Sequence, residues 1–390
     1  MDFGLSEETR LLIKTVREFV RNELYPLEQE VEEKDLLEPE KAREIFEKSR
    51  ALGFYAMNIP EKFGGGGLSA VDNCLVEEQF GHTSDVLIRR AFGNVYESLL
   101  LCDSRQRERW LLPCVRGERT ASIAITEPEA GSDAAKISTR AVRDGEGWRL
   151  SGRKLFISDA AFSDFFIASA VTDPDAGPRG ISLFLVDKSL PGFSLGRMQT
   201  MMGHRGTSVM ELFFDDVPLE RMALLGEEGR GLKIILETLG RVRLVQIGAR
   251  AIGKASRITQ LMTDYANERR QFGKPIGDFQ MIQTMLADSA IEINAARWLM
   301  LRAAWELDQG LDAREKISMV KVFAAEMLGK IADRAVQVFG GMGYCTDLPI
   351  ERYYRDSRIF RIYDGTSEIH RTVVAKALLR DCARIIDDPL

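Results

Sequence analysis

Phe165-Phe166-Ile167-Ala168-Ser169-Ala170-Val171, the turn-forming Asp173-Pro174-Asp175-Ala176-Gly177-Pro178, and then Ile181-Ser182-Leu183-Phe184-Leu185-Val186 are the stretch that decides the fold class. Two short runs rich in β-branched and aromatic residues, separated by Pro and Gly, read as neighbouring strands. Trp148 to Ser158 and Ser208 to Val217 add further strand candidates. No helical segments alternate with these strands, so a parallel, doubly wound sheet is not expected. Residues 121–225 are therefore expected to form an antiparallel, barrel-like β domain.

On both sides of this region the pattern is helical. Upstream, Leu12, Val16, Phe19 and Val20 make an apolar face behind a Ser6 cap, and Pro39 stands where a first helical turn begins. Gly64 to Gly67 form a loop that lacks the dinucleotide fingerprint, ahead of a helix carrying Val71, Leu75 and Val76. Downstream, the segments near 231–267, 279–308 and 313–338 are long enough for a bundle and are broken at Gly273-Lys274-Pro275, Gly310 and Gly340-Gly341. Gly240, Gly248 and Gly253 would weaken an isolated helix, which points to close approach of another helix or of a ligand. The expected domains are an N-terminal helical domain at 1–120, a middle β domain at 121–225 and a C-terminal four-helix-bundle domain at 226–390.

Composition narrows the function classes. The 390 residues carry 59 acidic and 53 basic side chains, a formal charge of -6 spread along the chain, which gives no nucleic-acid footprint. No apolar run reaches membrane-spanning length, and the first residues lack a secretory pattern, so a cytoplasmic location is expected. Cys74, Cys102, Cys114, Cys345 and Cys382 form no CxxC pair and suit a reducing compartment. Three His residues exclude a His-rich metal centre, and no metal is expected.

Several loops carry groups suited to chemistry. After Ile123 and Ile125, the segment Thr126-Glu127-Pro128-Glu129-Ala130-Gly131-Ser132-Asp133 offers hydroxyls and turn N–H groups that can meet a polar ring edge and a phosphate; an ordinary interdomain loop is the plainer reading. Phe156-Ile157-Ser158 is either a stacking aromatic with a hydroxyl two residues on, or a strand with a core Phe. Arg269 and Phe272, three apart at a helix end, make either a clamp on a diphosphate or a solvated cap. Finally, Asp364 in Tyr363-Asp364-Gly365-Thr366-Ser367-Glu368 places one carboxylate on a turn at the mouth of a helix, where it could take a proton from an acidic carbon.

Taken in order, these segments resemble the acyl-CoA dehydrogenase family over residues 2–380: ITEPEAGSD at 125–133, FIS at 156–158, ERRQFG at 268–273, QVFGGMGY at 337–344 and YDGTSEIHR at 363–371. The resemblance implies a homotetramer, a dimer of dimers, whose subunits bind FAD non-covalently. Thr126 and Ser158 would face the isoalloxazine, Phe156 would pack on it, and Ile123 and Ile125 would lie on the same cofactor side. Ser132 would sit near a phosphate and the thioester tail. Arg269, Phe272, Gln337, Gly340 and Gly341 would reach the FAD of a neighbouring subunit. Phe279 and Gln280 would line the cofactor region, and Thr366 and Glu368 its adenine half.

The implied activity is α,β-dehydrogenation of an acyl-CoA. Asp364 would remove the α proton, FAD would accept the β hydride, and an electron-transferring flavoprotein would take the electrons. Arg243, Gly365 and Lys376 are the expected contacts to the thioester or CoA, and Arg89 marks the far end of the acyl pocket. An enoyl-CoA reductase, an oxygen-dependent flavoenzyme and a non-catalytic flavin-bound regulatory protein are the alternatives.

The chain departs from the family pattern at the base. Most members have Glu where Asp364 stands, some place it at the position of Val242, and an acidic CoA contact is often found where Gly240 stands. Asp lacks one methylene and reaches about 1.5 Å less far. Glu127 and Glu237 are weaker candidates for the base.

Overall fold

The computed structural model describes residues 4–92, 95–382 and 386. Helices α1 (Glu7–Phe19), α2 (Glu28–Lys34), α3 (Pro39–Ala51), α4 (Ala70–Phe80), α5 (Asp85–Ala91), α6 (Ser104–Gln106) and α7 (Leu112–Val115) come first. Ser6 Oγ accepts the Thr9 N–H at 3.0 Å and caps α1, and Pro39 opens α3, where its missing N–H costs nothing. Helix α4 is buried almost all round, and its Glu77 and Glu78 are neutralised by Arg250 and Arg297 from the C-terminal helices.

The strands are β1 (Ala121–Ala124), β2 (Arg140–Asp144), β3 (Gly147–Ser158), β4 (Phe165–Val171), β5 (Ile181–Asp187), β6 (Phe193–Met198), β7 (Val209–Leu219) and β8 (Leu224–Leu225). They form one sheet in the order β6-β7-β3-β2-β4-β5-β8, with β1 beside β4. The stretch quoted at the outset forms the β4–β5 pair, antiparallel from Phe165 opposite Asp187 to Val171 opposite Ile181. The sheet is nevertheless mixed, because β1 and β2 both run parallel to β4. Both strands of the β4–β5 pair are almost wholly buried, which explains their continuous apolar runs.

From Gly231 the chain is helical again: α8 (Gly231–Val242), a wider π-helical segment at Arg243–Ala249, α9 (Arg250–Glu268), α10 (Gln280–Asp308), α11 (Arg314–Phe339), α12 (Gly341–Tyr344), α13 (Ile350–Ser357) and α14 (Ser367–Arg380). Their core includes Ile258, Met262, Met300, Ala324, Leu328 and Ile331, all fully buried. Gly253 is required by packing, since a Cβ there would lie 2.1 Å from the Glu78 carbonyl oxygen on α4. Gly240 has no comparably close neighbour.

Trp148 packs edge-on against Phe184 in the sheet core, whereas Trp298 and Trp305 on α10 are 52% and 43% exposed. No helix among the described residues is long and apolar enough to cross a membrane. All five cysteines are free, and no group of His, Cys, Asp and Glu among the described residues is arranged to hold a metal ion.

Candidate active site

Asp364 sits on the turn between a short 3-10 segment, Arg358–Arg361, and α14. Its φ is +53°, a left-handed conformation that Asp tolerates better than most residues because its short side chain can bond locally. Gly365 follows at φ +93°, and a Cβ there would meet the His370 Nε2 at 2.8 Å. Thr366 then caps α14 by accepting the Ile369 N–H at 3.3 Å.

Two side chains clamp this turn through one atom. Arg243 Nε donates to the Asp364 carbonyl oxygen at 2.7 Å, and His370 Nε2 lies 3.2 Å from the same oxygen. The other ring nitrogen of His370 is 3.1 Å from Ser318 Oγ on α11. Burial and the nearby Arg243 cation push the His370 imidazole down to about 4, so it is neutral near pH 7 and acts as a hydrogen-bonding strut.

The Asp364 side chain is left uncommitted: among the described residues its carboxylate makes no hydrogen bond or ion pair. Burial pushes its pKa up from the ordinary aspartate range, against the pull of Arg243, Arg89, Lys321 and Arg250. Lys321 is itself fully buried on α11, and its Nζ has no hydrogen-bond partner among the described residues. A carboxylate made more basic by desolvation, and with no hydrogen-bond donor of its own among the described residues, is suited to accept a proton from carbon.

A second group of residues forms a face at the end of β1 and along β3. The Leu155 N–H donates to the Thr126 carbonyl at 2.8 Å, and Ser122 Oγ donates to the Ser158 carbonyl at 2.6 Å, which brings the 126–133 loop beside Phe156-Ile157-Ser158. The β3–β7 register shifts between Lys154 and Ile157, and this bulge puts Phe156 at φ +60° with 57% of its surface exposed. Thus Phe156 is not the core residue of the plainer sequence reading. Ile123, Ile125, Thr126 and Ser158 are half-buried here, and Ser132 is exposed on the loop. An open aromatic face with hydroxyls around it and a turn nearby fits a flat polar ring system carrying phosphates, as FAD does.

The 126–133 loop is anchored by a pair that the sequence did not reveal. Lys154, fully buried, reaches Glu127 at 2.8 Å, and Glu127 also accepts the Ser138 and Thr139 N–H groups. Burial opposes it, yet Lys154 and these donors hold Glu127 down to about 2. Glu127 is a fully engaged structural anion, and Glu237 is a surface residue 3.7 Å from Lys233.

Most of the remaining expected residues are exposed. Arg269 is exposed, Phe272 is 93% exposed at φ +50°, and Gln337, Gly340 and Gly341 are exposed as well. Tyr265 stacks on Phe339 with centroids 4.2 Å apart, which draws the 269–273 segment and the 337–341 segment together. Phe279 packs edge-on against Phe272, with Gln280 exposed beside it at the start of α10. Glu368 and Lys376 are exposed on α14.

Arg89 faces a cavity of about 350 Å³ and pairs with Asp159 at 3.1 Å; Arg90 pairs with the same carboxylate at 2.7 Å. Tyr96, Gln246 and Arg250 also line this cavity. Asp159, next to Ser158, was not singled out from sequence, because its arginine partners lie about 70 residues away in the chain.

Comparison with known proteins places the three domains in one family. Three family models match in succession: acyl-CoA dehydrogenase, N-terminal domain, at residues 6–118; middle domain, at 122–217; and C-terminal domain, at 229–379. A probable acyl-CoA dehydrogenase of Mycobacterium tuberculosis, FadE25, is 38% identical over 382 residues, covering 97% of each chain. The acryloyl-CoA reductase (NADH) of Anaerotignum propionicum is 35% identical over 390 residues, covering 97% of this chain and 96% of its own. The structure of butyryl-CoA dehydrogenase from Megasphaera elsdenii superposes with a TM-score of 0.90 at 33% identity, covering 97% of this chain and all of that one.

Proposed function

The chain belongs to the acyl-CoA dehydrogenase family, an FAD-dependent group of oxidoreductases, and from that premise we propose that it desaturates an acyl-CoA thioester between Cα and Cβ with Asp364 as the base. The observation that carries this reading is the Asp364 carboxylate itself, half-buried, raised in pKa by desolvation and unpaired among the described residues while its backbone is clamped by Arg243 and His370.

FAD, when bound, supplies the acceptor for the β hydrogen as hydride. Thr126, Ser158 and Phe156, with Ile123 and Ile125 behind them, hold its ring system, and Ser132 holds a phosphate. The thioester carbonyl rests on the Asp364 N–H, which makes the neighbouring Cα acidic. The Asp364 carboxylate takes the Cα proton as the Cα–H pair becomes the new double bond. Arg243, by fixing the Asp364 carbonyl, sets the direction of both the N–H and the carboxylate. Gly365 lets the chain turn close to the thioester, and Lys376 meets the CoA nucleotide.

Residues 269–273 and 337–341, together with Phe279, Gln280, Thr366 and Glu368, serve FAD in the assembled homotetramer. Support comes from the exposure of Arg269, Phe272, Gln280, Gln337, Gly340, Gly341 and Glu368 and from α10, where Ile291, Trp298 and Trp305 recur every seven residues and are all exposed. An electron-transferring flavoprotein is the proposed electron acceptor. The acryloyl-CoA reductase relative supports a second reading, in which the same groups act in the opposite net direction.

The test is anaerobic titration of the FAD-loaded protein with straight, branched, alicyclic and dicarboxylic acyl-CoA thioesters, followed by flavin absorbance. Bleaching by at least one thioester, lost in Asp364→Ala, is expected. Full half-reaction speed in Asp364→Ala removes the assigned base, and reduction only by an external donor, with enoyl-CoA reoxidising the flavin, selects the reductive direction.

A further inference from the structure

On the premise that Asp364 acts on an acyl-CoA, we infer that the acyl group this chain selects ends in a carboxylate, held by Arg89 and Arg90 in the cavity beside the base. The cavity, about 350 Å³, has aromatic and aliphatic walls that include Tyr55, Phe92, Val95 and Leu99. Among its described lining residues Asp159 is the only carboxylate, against arginines at 43, 89, 90, 119 and 250. A purely aliphatic acyl chain has no use for this charge, and desolvating it would be costly.

Charge balance identifies which arginines are available. Arg43 is exposed to solvent, Arg119 is bound to Asp187, which also takes Arg109, and Arg250 is bound to Glu77 and Asp85. Arg89 and Arg90 share Asp159, so two guanidinium groups meet one carboxylate and leave one positive charge over. The Nε atoms of both are buried without a hydrogen-bond partner among the described residues. Arg90 also lies over the Phe162 ring at 4.5 Å, which holds its plane in place. A second carboxylate would neutralise the pair and use the spare donors, in the planar geometry that guanidinium groups favour.

The cavity also borders the segment that holds the base: Gln246 in its wall is three residues from Arg243, whose Nε donates to the Asp364 carbonyl at 2.7 Å, and Arg250 in the same wall follows on that helix. An acyl chain that enters this cavity from Asp364 meets the arginine pair. Such a site discriminates in two ways: it attracts the charged end, and it leaves buried donors unmet when a neutral chain enters.

The experiment compares glutaryl-CoA and adipyl-CoA with their neutral ω-methyl esters, so that the CoA part is constant. Binding is measured by calorimetry on FAD-loaded Asp364→Asn protein, where turnover does not interfere, and flavin bleaching is measured on the protein with Asp364 intact. The acids should bind roughly 10- to 100-fold tighter than their esters, the range of a charged hydrogen bond. Arg89→Met, which leaves Arg90 and Asp159 as a balanced pair, should bring the ratio close to one, and Arg89→Lys should keep part of it. Equal binding of acid and ester, or an acid preference unchanged in both Arg89→Met and Arg90→Met, overturns the inference. Acid-selective binding without bleaching by any thioester upholds the pocket while refuting the dehydrogenation reading; equal bleaching by ester and acid does the reverse.

Discussion

Lengthening the base by one methylene, Asp364→Glu, puts the geometry of the turn under the most direct test. The carboxylate would move about 1.5 Å farther from a backbone that Arg243 and His370 hold through its carbonyl oxygen, so the turn cannot easily retreat. Misplacement by ~1 Å can cost about 100-fold in rate, or about 2.7 kcal/mol at the barrier. The left-handed φ of +53° adds a second effect, because a longer side chain lacks the local hydrogen bonding that lets Asp adopt it, at a cost of roughly 1 kcal/mol. Asp364→Asn keeps the turn and the clamp but removes the proton acceptor, so its loss should reach about 10²- to 10⁴-fold. Stopped-flow bleaching of the flavin at saturating acyl-CoA reads both variants, with thermal melting as the control for folding. Wild-type speed in Asp364→Asn would refute the base, and a Glu variant as fast as wild type would refute the claim that this turn is set for the shorter side chain.

Burial raises the Asp364 pKa in the folded state, so folding is favoured while the carboxyl is protonated, and this stability is lost as pH rises through the folded value. Asp364→Asn should therefore melt at a higher temperature than wild type at about pH 8, with the gain shrinking toward about pH 4, and a constant difference would contradict the shift. Lys154→Met strands the buried Glu127 charge and should cost about 3–5 kcal/mol in denaturant unfolding and lower the FAD content; Glu127→Gln in the same chain should recover much of it. His370→Ala removes one support from the Asp364 carbonyl and should slow flavin reduction about 10-fold, the worth of a hydrogen bond of ~1.4 kcal/mol. Because His370 titrates at about 4, that ratio should stay flat from about pH 6 to 8.

What could be read from the chain was local. The β4–β5 pair announced itself by two apolar runs around a Pro-Gly turn, and the Ser6 and Pro39 helix starts were visible in single residues. The Asp364 turn was legible too, since Asp-Gly-Thr-Ser holds its own turn and cap chemistry. The parallel pairing of β1 and β2 with β4 was not, because strand direction depends on where the chain returns and not on side-chain alternation. Nor was the exposure of Phe156, which follows from a register shift against β7, some 50 residues away in the chain.

The order of elements, their caps and the residue types offered to chemistry were thus determined by the amino-acid sequence alone. Which charges are spent and which remain was decided only by the tertiary structure. Glu127 and Asp364 carry the same functional group, yet Lys154 meets one and holds its pKa down, while the other is half-buried beside cations that do not touch its carboxylate, and desolvation raises it. The same holds for Arg89 and Arg90, whose shared partner Asp159 lies 70 residues from Arg89. Hydrogen bonds and desolvation act through distances in space, and sequence separation carries no record of those distances.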